Sequence, residues 1–131
     1  MSKRSFVTIS LVFVLFLSVF IYALMMQFAE DRQYSQNSLD YLILTPEDIV
    51  DIKDLCQTAP QFRYRSADGP KPMMMQLDCH LDTKTLHSYL SQKKYIGDST
   101  HRTYRQGTSE IILTDVQDGA VQSLMFLEYT Q

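Results

Sequence analysis

The chain has 131 residues, 45% of them hydrophobic and 21% charged, with a formal net charge of −3. That mixture excludes a disordered chain and a strongly basic nucleic-acid binder, and it fits one small globular domain joined to one long apolar segment. Two cysteines allow a single pairing.

Phe6 to Ala29 is almost unbroken apolar sequence without charge or proline, preceded by Lys3 and Arg4 and closed by Glu30-Asp31. At about 1.5 Å of rise per residue it spans a hydrocarbon core of roughly 30 Å. A secretory signal has an apolar region of about 7–15 residues and a small-x-small cleavage site. This run is longer, and cleavage after Ala23 or Ala29 would put Ile21 or Gln27 at the minus-three position. An uncleaved signal-anchor is the expectation, with residues 6–29 as the transmembrane helix. The basic pair keeps residues 1–5 cytoplasmic, and the remainder faces the periplasm of a bacterial inner membrane. A tail of that size holds no cytoplasmic domain.

From Glu30 onward, ten basic residues stand against fifteen acidic ones, a net charge of −5. Residues 30–41 are polar and read as a tether. Residues 42–131 then form a domain small enough for its core to be marginal. Thr45-Pro46-Glu47-Asp48 marks a helix start, with Thr45 as cap and acids in the first turn. Ile49, Ile52, Leu55 and Cys56 follow at helical spacing, and Pro60 closes that helix.

Gln61–Ser66 alternates Phe62 and Tyr64 against Arg63 and Arg65, a half-buried strand. After a turn around Asp68-Gly69, Met73–Leu81 puts Met73, Met75, Leu77, Cys79 and Leu81 on one face. Cys56 and Cys79 therefore both point to the core, and in an oxidising compartment they are expected to form a disulfide. A loop of that size stabilises by roughly 3 kcal/mol in the chain-entropy view.

Asp82–Ile96 reads as a second helix, capped by Asp82, with Leu86, Tyr89 and Leu90 inside and Gly97 as terminator. Three strands follow: His101–Gln106, Ser109–Val116 and Val121–Tyr129, the last with apolar residues on both faces. Gly107 and Asp118-Gly119 supply the turns between them. The predicted class is α+β, in the order α-β-β-α-β-β-β, an antiparallel sheet with helices packed on it.

Chemistry-bearing constellations are sparse. His80, His87 and His101 with Asp78, Asp82 and Cys79 match no tetrahedral ligand spacing, and Cys79 is expected to be oxidised. No serine sits in a nucleophile elbow and no glycine-rich loop could cradle phosphate. Neither an enzyme nor a cofactor is expected. Binding has better candidates: Arg63, Arg65, Arg102, Tyr104 and Arg105 are basic with interleaved aromatics, and Met74 is the one methionine of Met73-Met74-Met75 that faces away from the core.

The expected function is protein binding in the envelope. In layout the chain resembles the accessory subunits that accompany membrane-spanning transcription activators, which also combine a tiny cytoplasmic tail, one span and a small periplasmic domain. An immunity protein that neutralises a toxin in the periplasm is an alternative. A sensor whose sheet–helix cavity, lined by Met75, Leu77 and Phe126, takes an apolar small molecule is another. No nucleic-acid partner is expected.

Overall fold

A computed structural model describes residues 3–27, 31–68, 70–98 and 102–130. Helix α1 covers Lys3–Gln27. Its stretch Val7–Met25 has a mean hydropathy of 2.6 and none of it is buried, and by length and composition it is long and apolar enough to cross a membrane.

The remaining elements run β1 Arg32–Ser35, α2 Leu39–Leu44, α3 Glu47–Lys53, β2 Gln61–Arg65, β3 Met73–Asp82, α4 Thr83–Gln92, β4 Ile96–Asp98, β5 Thr103–Gln106, β6 Ser109–Gln117 and β7 Ala120–Glu128. The class is α+β, with seven strands in one sheet ordered β1-β2-β3-β7-β6-β5-β4 and antiparallel throughout. The expected succession α-β-β-α-β-β-β is found from α3 onward, with β1, α2 and β4 added to it.

The polar tether is therefore corrected: within residues 30–41 the chain builds β1 and the start of α2. Strand β1 needs only Tyr34 to dock, because it lies at the sheet edge and buries one residue of four. Ser38 caps α2 by accepting the Tyr41 backbone N–H. Thr45 is likewise corrected, since it ends α2 and the N-cap of α3 is Pro46. Helix α3 stops at Lys53, well before Pro60.

One face of the sheet carries the core. Phe62, Tyr64, Met75, Leu77, Leu81, Ile111, Leu113, Leu124 and Phe126 meet Leu44, Ile49 and Ile52 of α2 and α3 and Leu86 and Leu90 of α4. Alternation along β7 breaks where its pairing shifts, between Asp78 and Leu81 of β3 and around Asp115 of β6. The shift turns Val121 to the same side as Leu124 and Phe126, so apart from Ala120 at its start β7 buries one face rather than two.

Past α3, the Gln57 N–H donates to the His80 carbonyl at 2.8 Å and the His80 N–H donates to Thr58 Oγ1 at 2.9 Å. These bonds lay the chain beside the end of β3 and bring Cys56 to Cys79. The sulfurs are bonded at 2.02 Å, with Cα atoms 5.8 Å apart. Cys56 is thus held by a turn and not by the helical stripe, and it is half-buried.

Helix α4 keeps the expected cap: Asp82 accepts the Thr85 N–H at 2.9 Å, which with the Thr85 hydroxyl pulls the Asp82 carboxyl below its usual range. The end of α4 differs from expectation. Lys94, at φ 65, turns the chain out of the helix, and Gly97 lies within β4 opposite Tyr104.

Candidate interaction surface

Side chains alternate across a strand, so the residues between the core positions share the opposite face. The pairing aligns them in two rows. One row runs Arg65, Met74, Leu127, Glu110, Arg105 and Ile96; the next runs Gln33, Arg63, Gln76, Met125, Ile112, Thr103 and Asp98. Among the described residues no helix packs on this face. At its centre Met74, Leu127, Met125 and Ile112 are only half-buried, and they are direct or diagonal neighbours on β3, β7 and β6.

Charge borders this apolar centre on both sides. Arg63 and Arg65 stand exposed on β2, and Arg65 reaches Asp31 at 3.8 Å. On the other side Arg105 Nε donates to Glu110 Oε1 at 2.9 Å, while the Tyr129 hydroxyl donates to Glu110 Oε2 at 3.0 Å. Glu110 is 6% exposed, so both carboxylate oxygens are satisfied by these two donors. The hydrogen bond to Glu110 raises the Tyr129 pKa above its ordinary value.

A polar cluster lies further along the same face. Ser123 Oγ donates to Asp78 Oδ1 at 2.6 Å, and Gln76 Nε2 donates to Asp78 Oδ1 at 2.9 Å. His80 Nδ1 pairs with Gln122 Nε2 at 2.9 Å. His87 lies against the Tyr104 ring on the core side, 6.0 Å between centroids. His101 lies outside the described residues.

Of the residues singled out for binding, the fold brings Arg63, Arg65, Met74 and Arg105 onto the open face. Arg102 is exposed in the turn before β5, at φ 54. Tyr104 is a correction: it is 8% exposed and belongs to the core, because its strand parity matches Ile111 and not Arg105. Arg105 is already committed to Glu110 and is less free for a partner than its charge implied. Met125, Leu127 and Ile112 are the missed members of the surface. For Met125 and Leu127 the signal is the apolar second face of the last strand, which the sequence alone reads as buried on both sides; Ile112 stands between Glu110 and Thr114 on its face of β6 and gives no such signal.

The residues expected to line an internal cavity, Met75, Leu77 and Phe126, are 0%, 0% and 2% exposed and pack within the core cluster. Met75 Sδ also accepts from the Tyr34 hydroxyl at 3.4 Å. The β2–β3 loop borders an open hollow of about 570 Å³, lined by Asp31, Arg65, Asp68 and Lys71 among others. Its mixture of opposite charges points to no ligand of one sign.

No family model, curated protein or solved structure matches the chain.

Proposed function

We propose that this is a single-pass protein of a bacterial inner membrane whose periplasmic domain binds a protein partner through the open sheet face. The observation that carries the reading is the half-exposed centre Met74, Met125, Leu127 and Ile112, left without a covering layer among the described residues and bordered by Arg63 and Arg65. Contiguous apolar surface with a polar rim marks an interaction site more often than a solvated face. The two arginines favour a partner with an apolar centre and an acidic border.

The anchoring half of the proposal rests on α1 and on the disulfide. Val7–Met25 has the length and composition of a span, Lys3 and Arg4 favour a cytoplasmic N-terminus, and the Cys56–Cys79 bond suits an oxidising compartment. An accessory subunit of a membrane-spanning regulator and an immunity protein would both use such a surface, and the partner's identity separates them. The sensor reading has no specific observation in its favour, since its cavity residues pack against one another.

The test is affinity purification of the full chain from its native membranes, alongside Met74→Glu and Arg63→Glu. The expected result is a specific protein that co-purifies with the wild type and is lost from both variants, with the disulfide and melting temperature retained. Arg63 is exposed, so its variant stays informative if Met74→Glu folds poorly. A partner that survives Arg63→Glu and a folded Met74→Glu, or the absence of any specific partner, would overturn the proposal.

A further inference from the structure

Helix α2 is short and carries its apolar residues on two sides. Leu44 is buried and Tyr41 and Ile43 pack against the core, whereas Leu39 and Leu42 are 53% and 77% exposed. Three residues apart, these two leucines share one face of the helix. A small domain gains nothing in water from presenting two leucines there.

The position of α2 says what covers them. The Tyr22 hydroxyl of α1 donates to Asp40 Oδ1 at 3.4 Å, and Arg32 Nη1 donates to Asp40 Oδ2 at 3.4 Å. Tyr22 lies three residues, about 4.5 Å along a helix, before the end of the strongly apolar stretch Val7–Met25, toward the outer end of the run that closes at Glu30. Tyrosines concentrate at that depth, with the ring in the acyl boundary and the hydroxyl among the headgroups. Asp40 is tied to the same level, and the leucines on either side of its turn are held beside the outer end of α1.

We infer that α2 is an interfacial helix: Leu39 and Leu42 insert into the acyl–headgroup boundary of the bilayer, while Asp40 stays at headgroup level with Tyr22 and Arg32. The occupant of this apolar face is the lipid surface itself. The inference rests on the reading of α1 as a span, and it adds that the domain lies against the membrane instead of swinging on a leash. Insertion of the two leucines fixes which way the open sheet face points, in the way that short apolar faces hold peripheral helices in the interface plane.

The chain contains no tryptophan, so single substitutions report depth directly. Leu15→Trp, Leu42→Trp and Ser88→Trp would each be placed in the full chain and reconstituted into vesicles with and without brominated acyl chains. Leu15 lies mid-span and Ser88 is exposed on α4. The expected result is blue-shifted emission from Leu15→Trp and Leu42→Trp, both losing most of their intensity in brominated lipid, with Ser88→Trp unaffected. Leu39→Trp should behave as Leu42→Trp does, and an intact disulfide in each variant establishes the fold. Quenching at Leu15 with none at Leu39 or Leu42 beyond that of Ser88 would overturn this inference alone. No quenching at Leu15 would remove the span and this inference with it.

Discussion

The Tyr95 hydroxyl donates to Asp48 Oδ2 at 2.6 Å across 47 residues of sequence, joining the start of α3 to the chain that leaves α4. A parallel tie runs beside it: Asp51 Oδ2 accepts from Tyr89 at 3.1 Å and pairs with Lys93 at 2.9 Å. The two helices thus meet through tyrosine–carboxylate bonds above the apolar layer of Ile49, Ile52, Leu86 and Leu90. Burial first, and the Asp48 bond second, push the Tyr95 pKa far above its usual value. Tyr95→Phe keeps the ring and removes the bond. It should lower stability by about 1.5 kcal/mol, the low end for a hydrogen bond to a charged group. Urea denaturation would read this as a lower midpoint at unchanged slope, and an unchanged midpoint would mean the bond contributes nothing net.

Alkaline pH should weaken the fold through Tyr34. Burial raises its pKa from 10.0 to about 12, outweighing the opposing hydrogen bond with Thr45. The neutral hydroxyl pairs with Thr45 Oγ1 at 2.9 Å and is the form the folded core accepts. A pKa raised on folding contributes stability that is fully present below the unfolded value and is lost as pH rises through the folded one. The melting temperature should therefore hold up to pH 10 and fall between pH 10 and about 12. Tyr34→Phe should make that fall shallower, though Tyr64, Tyr89 and Tyr95 are also raised by burial and keep part of it. An identical slope in wild type and Tyr34→Phe would contradict the assignment.

The sheet was legible wherever strands alternate strictly. Phe62 and Tyr64 against Arg63 and Arg65, and Met75 to Leu81 against Gln76 and His80, carry a period of two that nothing else satisfies. Strand β1 was not legible, because an edge strand that docks through Tyr34 alone has no periodicity to display. The cap at Thr45 misled for a related reason: two short helices abut there, and a residue that ends one has the chemistry to begin the next. Tyr104 was misplaced by its basic neighbours, although Ile111 directly across from it on β6 sets its face. The open face was legible only in part, since Met125 and Leu127 look like core until the layer that would cover them is counted.

Removing the disulfide should cost more than any single hydrogen bond. Cys56 and Cys79 are 23 residues apart, and closing a loop of that size in the unfolded chain is worth roughly 3 kcal/mol. For a domain this small that is a large share of the total. Cys56→Ser with Cys79→Ser should therefore lower the denaturation midpoint sharply, and dithiothreitol should do the same to the wild type. Equal mobility of wild type with and without reductant on a denaturing gel would show that the bond does not form in the cell.

Gly97 makes the sharpest steric prediction. A Cβ built there falls 2.7 Å from Tyr104 Cε1 and 2.8 Å from Cδ1, closer than real carbon contacts allow. The backbone of β4 is not left-handed at this residue, so the requirement is for space and not for φ. Tyr104 in turn is 8% exposed, lies against the His87 ring and stands opposite Ile111 on β6, so its ring cannot retreat freely. Gly97→Ala should then either push the ring into α4 or peel β4 from β5, at a cost of about 1–3 kcal/mol, the usual range for an overpacked core. The second outcome is expected to prevail, because β4 has three residues, lies at the sheet edge and buries none of them. Hydrogen exchange separates the two: loss of protection confined to residues 96–98 and their β5 partners marks peeling, while loss in α4 marks a displaced ring. The paired variant Gly97→Ala with Tyr104→Leu, which shortens the obstructing side chain, should recover β4 protection. Failure to recover it would mean that the glycine serves something other than the ring of Tyr104.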